Sequence, residues 1–551
     1  MKYLHNKVYK LSLMNGFLQE LMDKLRPPHR FEDLFWFEWP GTMAVIVIGL
    51  ALSFFLFGFW WPYWTISDMD LWAVYNAFLL NDHLPQEFFD HPGYLSFVLL
   101  ANWLHALHVF GVVAVDRLSL LPTPADAGPA WTDAIRAGRI LSLILALVFV
   151  ICFGFLLRQL VRDWRVAALA TLFLAFSGGV ALEARIMRTE LIAAGLVFLA
   201  LLILLIAARS PSTWWRPFAV GLAALLATLG FENKVQALLL ICALPPILLM
   251  FRTPRSDGND FWRNARLAFP LMVGSAAVAI LFTLAAFPLI RFGYIGAASS
   301  IFHWRPFVWR FGAYQPLILL WIALSMLVFS KINRVAVMEA ATALIAACGG
   351  AALGVMALYI SYQPQNVLTT INPLEQMAYM VRNRAVFSGG DTVLNFLAAL
   401  FNGCGGVVLK RTFFLSSSAR PTIFLEWFVI AATIYAYRTG RRMLAVQTAV
   451  IMAVVWGIDT VNTIRGLKME YLIYTDPLTI IAASLLMADQ VELRRHRWAY
   501  SIGLVLIAIH IVIGQSEPVK HTISHNPKPE FCVKHFEYTP RIESYSFCKQ
   551  L

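Results

Sequence analysis

Apolar residues run without a break from Met43 to Trp64 and end in the cluster Trp60-Trp61-Pro62-Tyr63-Trp64. A run of that length crosses a bilayer, and Trp and Tyr at its end mark the headgroup level. Further apolar runs follow at roughly 140–157, 166–182, 191–208, 217–231, 235–251, 267–290, 315–330 and 335–359. Four more come at 421–437, 443–458, 472–488 and 498–514. With the first, they predict thirteen membrane helices and an all-α polytopic membrane protein. Residues 1–41 are polar and basic, with Leu11, Leu13, Phe17, Leu18, Leu21 and Leu25 at roughly helical spacing, which reads as an amphipathic helix on the cytoplasmic leaflet. The transmembrane domain is expected over 42–514, with a polar tail at 515–551. Inside the first external loop, 65–139, the stretches Asp70–Leu80 and Tyr94–Phe110 read as amphipathic juxtamembrane helices.

Composition agrees with the pattern: 59% of the 551 residues are hydrophobic and 14% charged. The net charge of +12 does not point to nucleic acid, because the basic residues fall in short clusters between apolar runs. That is the positive-inside pattern. It also decides the doubtful segment 393–409. Arg438/Arg441/Arg442 and Arg494/Arg495/Arg497 fall inside, with the earlier clusters, only if 393–409 does not cross. The expectation is N-terminus in, C-terminus out, and one long external loop at 360–420. No cleavable signal peptide is expected, since the first apolar run begins some forty residues in without a small-residue cleavage site. Cys532 and Cys548 stand in the external tail and are expected to pair.

This topology gathers charges on one side. Asp68, Asp70 and His91 lie in the first external loop. Glu183-Ala-Arg185-Ile-Met-Arg188-Thr-Glu190 forms the second turn and Phe231-Glu232-Asn233-Lys234 the third. Charges held in tight turns at a membrane are costly to desolvate, so they pair or serve a function. The structural alternative is pairing of Glu190 with Arg188 and of Glu232 with Lys234. His303, Arg305 and Arg310 read as snorkelling belt residues, Glu426 and Asp476 as solvated or paired, and His521, His525 and His535 as surface residues.

The acidic pair after the first span, His91-Pro92, Arg185 with Glu190, and Gly230-Phe-Glu-Asn-Lys234 together resemble the GT-C superfamily of membrane glycosyltransferases. The likeness is to its aminoarabinose-transferase and protein O-mannosyltransferase branch. It covers motifs in roughly the first 240 residues and only topology beyond. Two departures stand out: Asp68-Met-Asp70 where adjacent acids are usual, and Glu190 where Asp is commoner. The resemblance implies an enzyme of the cytoplasmic (inner) membrane with its site on the external, periplasmic face. Its donor would be a polyprenyl-phosphate sugar and its acceptor a hydroxyl on a lipid, glycan or protein. Asp70 is expected as the base that takes the acceptor proton, with Asp68 orienting a cation and Glu190 orienting an arginine or the acceptor. Lys234, Arg185, Arg188 and His91 are expected to bind the donor phosphate. No cofactor is required by that branch; hard oxygen ligands at Asp68 and Asp70 leave Mg²⁺ or Mn²⁺ open. Two other readings stay open: a secondary transporter or lipid flippase, and an oligosaccharide polymerase or ligase. A transporter would carry mid-span charges and matching halves; this chain has almost no mid-span charge and no visible repeat between halves. A polymerase or ligase would concentrate arginines in a late external loop, and 360–420 is basic.

Overall fold

The computed structural model describes residues 39–251, 314–362, 393–412, 423–463 and 469–523, apart from short gaps, and parts of 532–548. The amphipathic N-terminal helix, the 267–290 span, His303 to Arg310 and most of the 360–392 stretch lie outside the described residues. The chain divides into two compact units, 1–48 and 49–551, and the second holds nearly all of the described helices.

Every regular element among the described residues is helical. In chain order these are α1 (Trp39–Phe57), α2 (Trp72–Asn81), α3 (Tyr94–Val109), α4 (Ala127–Leu160), α5 (Trp164–Ala175), α6 (Gly178–Glu183), α7 (Thr189–Arg209) and α8 (Trp215–Asn233). There follow α9 (Ala237–Leu249), α10 (Tyr314–Asn333), α11 (Val337–Tyr362), α12 (Val393–Thr412), α13 (Ile423–Arg438), α14 (Arg442–Thr463), α15 (Asp476–Asp489) and α16 (Arg497–Ile523). Four of them, α1, α4, α7 and α14, are long and apolar enough to cross a membrane by length and composition. Several others are shorter apolar helices, so the count of thirteen spans remains a proposal.

The first loop folds as a small body of its own. Helix α3 has the expected two faces: Phe97, Leu100, Ala101 and Leu104 are buried, while Asn102, His105 and Val109 are exposed. Helix α2 departs from expectation. Every residue from Trp72 to Leu80 is buried, so it is a core helix rather than one resting on a membrane surface. The reason is what packs around it. Phe97 stacks edge-on against Trp72 at 4.8 Å, Trp131 of α4 lies 5.3 Å from Phe78, and Tyr545 of the tail joins the same cluster. The tail is closed by a Cys532–Cys548 disulfide, as its two cysteines predict. Arg541 of the tail reaches Glu87, which also accepts from Tyr75 Oη at 2.5 Å. Helix α16 continues to Ile523, nine residues beyond the end of its apolar run at 514.

Helix α12 packs against α14, with Gly403 on Thr460 and Arg411 bonding Asp459 at 2.5 Å. We expect a Ser417→Cys variant to be labelled in intact cells by a membrane-impermeant maleimide; protection there would mean that α12 crosses.

Candidate active site

The second turn forms because its helix is short and well delimited. Ser177 caps α6, its Oγ accepting from Val180 N, and α6 ends at Glu183. Arg188 is extended and opens α7, which places Glu190 in the first turn, where the helix dipole favours an acid. The third turn follows the end of α8. One buried side chain, Asn233, ties the turns together. Its Nδ2 donates to Thr189 O at 2.6 Å, its Oδ1 accepts from Ser96 N and Oγ, and its carbonyl accepts from Gly93 N. Gly93 has φ +61°, and a Cβ there would lie 2.6 Å from the Phe97 ring, so glycine is required where the His-Pro segment enters α3.

The charged groups pair across the turns. Lys234 Nζ lies 3.0 Å from Glu190 Oε1, and Arg188 reaches both Glu190 at 3.3 Å and Glu183 at 3.4 Å. The expected Glu190–Arg188 pair is therefore present, whereas the Lys234 ion pair is with Glu190 rather than with Glu232. Residues two apart at a helix end point different ways, and the start of α7 is the nearer neighbour. All four of Glu183, Arg188, Glu190 and Lys234 are buried.

Asp70 is 1% exposed and joined to this centre through the backbone. Its Oδ1 accepts from Met187 N at 2.7 Å and its Oδ2 from Arg139 Nε at 2.8 Å. Arg139 is itself fully buried and also donates to Trp61 O. Burial pushes the Asp70 carboxyl pKa up, against the pull of the Arg139 charge and the Met187 N–H. This is the geometry of an acid that fixes the second turn. Each of its oxygens already accepts one hydrogen bond from the protein, which bears on the expectation of Asp70 as the proton acceptor. Among the described residues no group of three His, Cys, Asp or Glu side chains is arranged to hold a metal. The Asp68 side chain and His91 lie outside the described residues.

Arg185 differs from the other cations. It is fully buried, and its partners are Ala181 O, Ser53 Oγ and Gln515 Oε1, the last at 2.6 Å. No carboxylate is among them. Burial lowers its pKa to about 9, so it keeps its charge at neutral pH. Its stem passes Gly58, where a Cβ would meet Cγ at 2.7 Å. The structure thus brings together Asp70, Arg188, Glu190 and Lys234, while the bonds of Arg185 run to α1, α6 and α16.

Sequence reasoning missed three participants. Arg139 sits at the boundary between loop and span and gives no local signal. Asn233 is hidden inside the lysine-bearing turn. Arg411 joins Glu426 and Asp459, and its Nη2 donates to Thr475 Oγ1 at 2.8 Å, so Glu426 is buried and paired.

No protein-family model matches this sequence, and no curated protein matches it. Among solved structures, it is similar to the apo crystal structure of the Archaeoglobus fulgidus oligosaccharyltransferase, at 12% identity and a TM-score of 0.43. The match covers 93% of this chain but only 59% of that one. A likeness at that level assigns no family.

Proposed function

We propose that this chain is an integral-membrane glycosyltransferase of GT-C type, moving a sugar from a polyprenyl-phosphate carrier to a hydroxyl of a lipid, glycan or protein. One observation carries the reading: among the described residues Arg185 is a buried guanidinium with no carboxylate against it, in the same turn as Glu183, Arg188 and Glu190, whose charges are matched. A fixed excess of positive charge in a dry site suits an anion, and a guanidinium suits a phosphate. An apolar cavity of about 630 Å³ adds support. Its wall runs along α8 from Arg216 through Val220, Ala224 and Thr228 to Phe231, three residues before Lys234. Such walls suit a hydrocarbon chain.

In the proposed reaction the acceptor oxygen bonds to the anomeric carbon as that carbon's bond to the phosphate oxygen breaks. The acceptor proton passes to a carboxylate, the negative charge stays on the lipid phosphate, and the single displacement inverts the anomeric centre. Arg185, Arg188 and Lys234 stabilise the leaving phosphate, with Glu183 and Glu190 holding the last two in place. We assign the proton acceptor to Asp68, since Asp70 is committed to Arg139 and Met187. The external face of a cytoplasmic membrane is part of the proposal and rests on the distribution of arginines along the sequence.

Arg185→Met tests the phosphate site. The variant keeps the apolar stem and removes a buried charge that has no counter-ion among the described residues, so its Tm should hold or rise. Purified full-length protein should bind farnesyl phosphate at least about 10-fold tighter than farnesol, and Arg185→Met should lose most of that preference. Equal preference in wild type and variant would remove Arg185 from the site.

A further inference from the structure

Tyr474 ends the helical turn Met469–Tyr474 that joins α14 to α15. The turn is pressed onto α6: a Cβ on Gly179 would lie 2.6 Å from Ile473 N, so only glycine allows the approach. Leu472 completes an apolar cluster with Trp61, Met69, Leu182 and Ile186. From the other side Arg411 fixes the chain just beyond the turn through Thr475, while its other N–H groups go to Glu426 and Asp459. The later part of the chain therefore delivers one side chain to the centre built by the earlier part.

That side chain is 1% exposed and within electrostatic reach of Glu183, Arg188 and Glu190, and its hydroxyl has no hydrogen-bond partner among the described residues. A buried hydroxyl without a partner is rare in folded proteins and calls for a reason. The two carboxylates near it are already held by Arg188 and Lys234. A phenol is protonated at neutral pH and is a ready donor. An acceptor brought in by a ligand satisfies it, and the Arg188 charge within reach favours an anionic one.

We infer that Tyr474 is a further binding residue of this site, its hydroxyl donating a hydrogen bond to a phosphate oxygen of the ligand. The inference rests on the proposal that Arg185 and its neighbours bind phosphate. Phenylalanine is the discriminating substitution, because it keeps the ring and removes only the O–H. A hydroxyl with no protein partner contributes nothing to folding, so Tyr474→Phe should unfold at the wild-type temperature or above it.

The experiment measures binding of farnesyl phosphate and farnesol to purified full-length protein, alongside thermal unfolding. Tyr474→Phe should bind farnesyl phosphate about 10-fold more weakly than wild type, the size expected for one bond to a charged group, with farnesol binding unchanged. Wild-type affinity for farnesyl phosphate in the variant would overturn the inference and leave the phosphate site standing. A fall in Tm with parallel loss of both ligands would show a structural hydroxyl and also overturn it. If wild type does not prefer farnesyl phosphate to farnesol, the phosphate reading itself fails, and the role of Tyr474 with it.

Discussion

Asp70→Asn is expected to cost about 3–5 kcal/mol of stability, because it leaves the Arg139 charge buried without its counter-ion. Arg139 is fully buried, and Asp70 is the carboxylate in contact with it. The amide also changes the acceptor offered to Met187 N, which sets the second turn and with it Arg188 and Glu190. Loss of activity in this variant should therefore track loss of folded protein. Thermal unfolding in detergent checks this with two companions. Arg139→Met alone should be comparably harmful, and Asp70→Leu combined with Arg139→Met should be milder than either single change, since removing both charges leaves none unpaired. An Asp70→Asn protein with the wild-type Tm would mean that the buried pair does not hold the turn.

Asp68→Asn is expected to do the opposite: stability unchanged, transfer rate lower by about 10²–10⁴, the typical contribution of a general base. Binding of the carrier should survive, because the groups assigned to phosphate are untouched. The check is sugar transfer by protein in liposomes, with KM for the donor measured beside kcat. A folded Asp68→Asn protein that transfers at the wild-type rate would end its assignment as base.

Much of this site was legible in the sequence, for a physical reason. Arg185, Arg188, Glu190 and Lys234 stand out because charges squeezed between apolar runs are expensive and few. Their partners were not legible. Lys234 and Glu232 are close in the chain, but Lys234 pairs with Glu190 because α7 begins where α8 ends. Asp70 looked free because Arg139, 69 residues away, reads as the edge of a span. Helix α2 read as amphipathic because nothing local announces that α3, α4 and a disulfide-closed tail wrap it. Tyr474 falls inside a predicted span, where a tyrosine is unremarked until the fold places acids around it.

The central claim is that this chain consumes a phosphate-linked sugar carried on a polyprenyl lipid. The direct measurement is mass spectrometry of lipids from cells in which the gene is deleted and then restored. A polyprenyl-phosphate sugar should accumulate on deletion and fall again on complementation with wild type, but not with Asp68→Asn. An unchanged lipid-linked sugar pool in the deletion strain would contradict the account.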